Sequence, residues 1–102
     1  MINNRDKLYN ILIKFIQKKY DVRNFCRDIE ILYFHDLNDD ELNDVELEIF
    51  KELAEYVIYF SDNTDAIKKI PIYVNENQVR DFSEKIYNKL IKKKLIKIQK
   101  IA

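Results

Sequence analysis

The chain has 102 residues, 47% of them hydrophobic, with no glycine, one proline and one cysteine. That length and apolar content suit one folded domain over residues 1–102 and exclude a disordered chain, while the lack of glycine argues against a β fold with many tight turns. Zero net charge is an average over three blocks: residues 1–27 carry seven bases and two acids, residues 28–65 one base and 13 acids, and residues 66–102 ten bases and three acids. Charge segregated in this way produces local fields of either sign that can steer a partner.

The first helix is expected from about Asn4 to Tyr20. Leu8, Ile11, Leu12, Phe15 and Ile16 form its inner stripe, Asn3 or Asn4 caps it, and Lys18 and Lys19 suit its C-terminal end. Asp21 is the expected N-cap of a second helix, roughly Val22 to His35, with Val22, Phe25, Cys26, Ile29, Leu32 and Tyr33 facing inward. Cys26, the lone cysteine, cannot form an internal disulfide. Its apolar neighbours read as the setting of a small buried hydrophobe, in a reducing compartment.

A third helix is expected from Leu37–Asp40 to about Phe60, capped by Asn38 or Asp39. Its apolar face is Leu42, Val45, Ile49, Leu53 and Val57. At 100° per residue, Glu41, Asp44, Glu48, Glu52 and Glu55 fall in a band roughly 80° wide and about 21 Å long, with neighbouring charges roughly 5–6 Å apart. Like charges at this spacing cost a few tenths of a kcal/mol per pair, and Lys51 alone offsets them. Glu46 projects into the apolar stripe and fits neither face. Ile70, Ile72 and Val74 alternate around Pro71 and read as a short extended connector. Asn75 then caps a last helix whose inner face is Val79, Phe82, Ile86 and Leu90. Beyond Leu90 the pattern drifts through Leu95, Ile96, Ile98 and Ile101. The expected architecture is all-α, an antiparallel four-helix bundle.

Several chemistries are absent from this inventory. There is one histidine, His35, no glycine-rich phosphate loop, and no nucleophile motif around Cys26 or Ser83. The acids near Asp39 lack the glycine and the alternate spacing of a calcium loop. Neither an enzyme nor a bound cofactor or metal is expected. No signal peptide or membrane-length apolar run is read in the sequence, so the cytoplasm is the expected compartment. The lysine-rich stretch from Lys85 to Lys100 supports an alternative reading, a small nucleic-acid-binding or adaptor protein.

In order and pattern the chain resembles the colicin D immunity family, including immunity proteins of contact-dependent growth-inhibition systems. Phe25-Cys26, Tyr33 and Leu37 lead to the acidic helix with Phe50, Leu53 and Ala54. Phe60-Ser61-Asp62 closes that helix, and Tyr73-Val74-Asn75-Glu76 leads into Val79-Arg80, Ser83, Ile86 and Leu90. The lysine-rich tail departs from that pattern. The resemblance implies a helical protein that neutralises a cognate toxin, typically a tRNA-cleaving nuclease domain, by placing acidic side chains over its basic active site. The expected contact set is Asp40, Glu41, Asp44, Glu48, Glu52, Glu55, Asp62 and Asp65, with Tyr56 and Tyr59 as aromatic anchors. No direct contact with nucleic acid or membrane is expected, and the oligomeric state is left open.

Overall fold

The computed structural model describes residues 3–38 and 40–93. The fold is all-α. Its helices are α1 (Asn4–Ile16), α2 (Val22–Ile31), α3 (Asp44–Val57), α4 (Thr64–Lys69) and α5 (Glu76–Lys92), and a π-helical segment, Leu32–Asp36, prolongs α2. Each helix starts on a capping side chain. Asn3, Asp21, Asn43, Asn63 and Asn75 each accept a hydrogen bond from a backbone amide of the first turn. No helix among the described residues is long and apolar enough to cross a membrane.

Packing closes the four longer helices into a ring of neighbours. α1 lies against α2 and α5, and α3 lies against α2 and α5. Leu8, Leu12, Phe15, Phe25, Ile29, Phe50, Leu53, Val79, Ile86 and Leu90 are buried where these faces meet. Phe15 stacks on Phe25 with ring centres 3.9 Å apart, and Tyr9 meets Phe50 edge-on at 5.2 Å.

Three expectations about the elements are revised. The first helix ends at Ile16, short of Tyr20. Lys18 takes a left-handed backbone (φ 61°), and the amides of Lys18 and Lys19 bond the carbonyls of Phe15 and Lys14. This is the glycine-type helix stop made by a lysine, in a chain that has no glycine. The third helix starts at Asp44 rather than near Asn38, because the capping box is Asn43 with Glu46, each side chain bonding the other's backbone amide. Asp39, the other proposed cap, lies outside the described residues. The connector before the last helix is only partly extended: Thr64–Lys69 forms α4, which buries no side chain. The chain after it is held at Val74 by an isolated parallel bridge to Phe60, with Ser61 N to Val74 O and Val74 N to Tyr59 O both at 2.9 Å. Residues 94–102, where the sequence pattern drifts, also lie outside the described part.

Candidate functional site

The outer face of α3 is set by what its inner face must hold. Glu46 is 2% exposed. Its carboxylate accepts from the Tyr9 hydroxyl at 2.5 Å, the Arg5 guanidinium at 2.9 and 3.1 Å, and the Asn43 amide at 3.1 Å. Burial alone would raise its pKa, but the Tyr9, Asn43 and Arg5 donors outweigh that and hold it below the ordinary carboxylate range. Tyr9 is pushed up, first by its own burial and then by the carboxylate beside it. With Glu46 inside, the buried face becomes Glu46, Ile49, Phe50, Leu53, Ala54 and Val57. That face is turned roughly 45° from the expected stripe at 100° per residue. Val45, expected inside, is 44% exposed.

The rotation leaves Asp44, Glu48, Lys51 and Glu55 pointing away from the core, all exposed. Three shallow grooves meet along this row. One, of about 550 Å³, runs between α3 and α5. Asp44, Glu48 and Glu52 form one wall, Lys89, Lys92 and Lys93 the other, and Val45 and Ile49 add apolar surface. A second, of about 440 Å³, joins Glu48, Glu52 and Glu55 to Tyr56, Tyr59 and Phe82. A third, of about 290 Å³, joins Asp44 and Glu48 to Tyr33 and Leu47. Glu48 borders all three and is the centre of the surface.

The ten residues expected in the contact therefore divide. Asp44, Glu48, Glu52, Glu55, Tyr56 and Tyr59 share one continuous face. Tyr56 is half-buried and stacks on Phe82 of α5 with ring centres 4.1 Å apart, whereas Tyr59 is exposed. Glu52 is paired with Lys89 of α5 at 2.7 Å, and Glu55 stands 4.0 Å from Lys51. Asp44 and Glu48 form no ion pair among the described residues.

The other four stand apart. Glu41 lies ahead of α3 and is committed elsewhere: it accepts from the Asn38 amide at 2.8 Å and from the amide and side chain of Asn4 at 3.0 and 3.1 Å. These donors, the Asn38 amide first, hold its pKa below the usual range. Asp40 is exposed in the loop before it. Asp62 lies beyond α3 and pairs with Arg23 of α2, and Asp65 sits in the first turn of α4.

The field of the row reaches its neighbours. Tyr33, whose hydroxyl donates to the Leu47 carbonyl at 3.0 Å, has its pKa raised first by burial and then by Glu48 and Glu55. Next to Tyr33, the π-helical segment leaves Phe34 46% exposed. Sequence reasoning missed Val45 and Phe34 as surface residues, whereas Tyr33, expected to face inward, is half-buried against the core. The spacing Asn43-x-x-Glu46 is a legible cap signal, but Asn38-x-x-Glu41 repeats it five residues earlier, so the sequence does not by itself fix the phase of the helix.

The nucleophile and metal inventories add nothing to this face. Cys26 is buried, and burial first, then Asp21 and Glu30, pushes its thiol up to about 12, far from thiolate chemistry at neutral pH. No cluster of three or more His, Cys, Asp or Glu side chains among the described residues is placed to hold a metal ion. Comparison of the chain with protein-family models, with curated proteins and with solved structures gave no match.

Proposed function

We propose that this chain is a cytoplasmic immunity protein, an antiparallel four-helix bundle that neutralises the nuclease domain of a cognate toxin by laying the acidic face of α3 over its basic active site. The target class is a tRNA-cleaving RNase. One observation carries the reading: Asp44 and Glu48 stand outward on a rigid helix with no cation paired to them among the described residues. A helix tuned only for its own stability would interleave more lysines along this row than the single Lys51. A nuclease that grips tRNA presents lysine and arginine to phosphate, so the row meets complementary potential that raises the association rate and selects the partner. Tyr56 and Tyr59, at the C-terminal end of the row, supply apolar contact area that charge alone lacks.

On this reading the neighbouring upstream reading frame is expected to encode a secreted protein with a basic C-terminal nuclease domain, and the test uses that domain as the partner. The wild-type chain is expected to protect cells expressing that domain and to bind it in solution. The triple variant Asp44→Lys, Glu48→Lys, Glu55→Lys is expected to lose about 100-fold or more in affinity, with its helical circular dichroism unchanged. Full protection by a folded triple variant overturns the reading.

A further inference from the structure

The groove between α3 and α5 carries two rows of opposite charge side by side, Asp44, Glu48 and Glu52 on α3 and Lys89, Lys92 and Lys93 on α5. Glu52 and Lys89 already pair across it at 2.7 Å, which leaves Asp44 and Glu48 on one wall and Lys92 and Lys93 on the other for a partner. A purely basic surface complements only the first row, and a purely acidic one only the second. A surface that satisfies both must carry bases beside acids with an apolar strip between them. The α3–α5 face of this chain is itself such a surface. A two-fold axis running along the groove lays α3 of one copy over α5 of the other, so each acidic wall faces a lysine wall twice over. The same rotation brings the exposed Val45 of both copies towards the centre. A two-fold axis lying across the groove, in the plane of the contact, would set acids on acids and lysines on lysines.

We propose that the α3–α5 groove is a docking surface for a second copy of this chain, forming an isologous dimer. Zero formal net charge removes long-range repulsion between copies. From Asp44 to Glu52 the groove runs about 12 Å, and two neighbouring helices each about 10 Å across give it a planar footprint of roughly 240 Å². A standard interface buries about 800 Å² per partner, so the dimer is weak and exchanges with monomer. Dimerisation hides Asp44, Glu48 and Glu52, and any partner that takes the acidic row competes with it. The inference does not rest on the toxin reading, because its readout is the mass of the isolated chain.

Sedimentation or light scattering of the full chain is expected to show a mass rising from 12.5 kDa towards twice that between roughly 1 µM and 1 mM, less steeply at about 0.5 M salt. Variant Asp44→Lys/Glu48→Lys and variant Lys92→Glu/Lys93→Glu are each expected to stay monomeric alone, because each copy then meets its own sign across the axis. Mixed in equal amounts, the two variants are expected to dimerise, since one then offers lysine on both walls and the other acid on both. Truncation after Lys93 is expected to leave the wild-type dimer intact. A wild-type chain that stays monomeric throughout overturns the proposal. So does dimerisation of either variant alone, failure of the mixture, or loss of the dimer on truncation, which would place residues 94–102 in the contact instead. Circular dichroism of each variant verifies folding.

Discussion

Glu46 and Glu48 are two residues apart on α3 and meet opposite fates. Glu46 is buried at 2% exposure with donors from Arg5, Tyr9 and Asn43, whereas Glu48 is exposed without an ion pair among the described residues. The same side chain is structural on one face of a helix and available on the other. The difference lies in the donors that the fold brings to it, not in the residue type. Acidic residues in a sequence block are therefore not interchangeable: those that complete caps and inter-helix ties are committed, and only the remainder can face a partner.

The sharpest way to break this comparison is to truncate both residues. Glu46→Ala leaves the half-buried Arg5 guanidinium and the buried Tyr9 hydroxyl without their acceptor and removes half of the capping box. It is expected to cost about 3 kcal/mol, somewhat less than a fully buried pair because Arg5 stays partly solvated. Glu48→Ala is expected to stay within about 0.5 kcal/mol of wild type. Urea unfolding followed by circular dichroism measures both, and similar losses at the two sites would erase the distinction.

Tyr9→Phe keeps the ring against Phe50 and removes one donor from the Glu46 carboxylate. A loss of about 1–2 kcal/mol is expected in the same assay. Retention of full stability would mean that Arg5 and Asn43 alone satisfy the carboxylate.

Acid sharpens the contrast without mutation. The folded pKa of Glu46 lies below its unfolded value of about 4.5. Its contribution is therefore present above that value and fades as pH falls through the folded pKa. Stability is expected to drop as pH is lowered from about 5 towards 3, and Glu46→Gln to flatten that drop. Tyr9 has a raised folded pKa, so its contribution is complete below its unfolded value of 10.0 and is lost as pH rises above it. Denaturant titrations across pH measure both limbs.

The smallest expected effect has the opposite sign. Glu48→Lys relieves like-charge pairs with Asp44 and Glu52 and is expected to raise stability by a few tenths of a kcal/mol while weakening partner binding. A variant that is less stable would mean that Glu48 has a structural role.

Much of this was legible in the sequence. The helical class followed from apolar spacing and the absence of glycine, and the caps at Asp21 and Asn75 follow from residue type and position. The acidic face was found, and four of its five expected carboxylates, Asp44, Glu48, Glu52 and Glu55, do share one surface. The start of α3 was misjudged because Asn38 and Asn43 both have capping chemistry and a glutamate three residues on; Glu41 bonds the Asn38 amide, but only Asn43 and Glu46 each bond the other's amide and start the helix. That single error placed Glu41 in the row and Val45 in the core, and left Glu46 unexplained. The ties from Asn4 to Glu41 and from Arg5 and Tyr9 to Glu46 join residues more than 35 apart in sequence. No local pattern encodes such pairings. The second helix does run on to about His35 as expected. Its π winding over Leu32–Asp36 and the short α4 lie beyond periodicity, because segments of five or six residues hold too few turns to show a period.

Lys18 connects the folded chain to its unfolded ensemble. A residue with a β-carbon in the left-handed region costs about 1 kcal/mol in the native state. Glycine would remove that strain, but it would also widen the range of conformations open to the unfolded chain, a penalty of about 0.4–1 kcal/mol. The two effects nearly cancel at this position, so the helix stop works almost as well without the residue it ordinarily favours. A chain with no glycine anywhere has an unfolded state of restricted backbone freedom. Part of what holds this small domain together is thus the narrowness of the alternative rather than any contact within the fold.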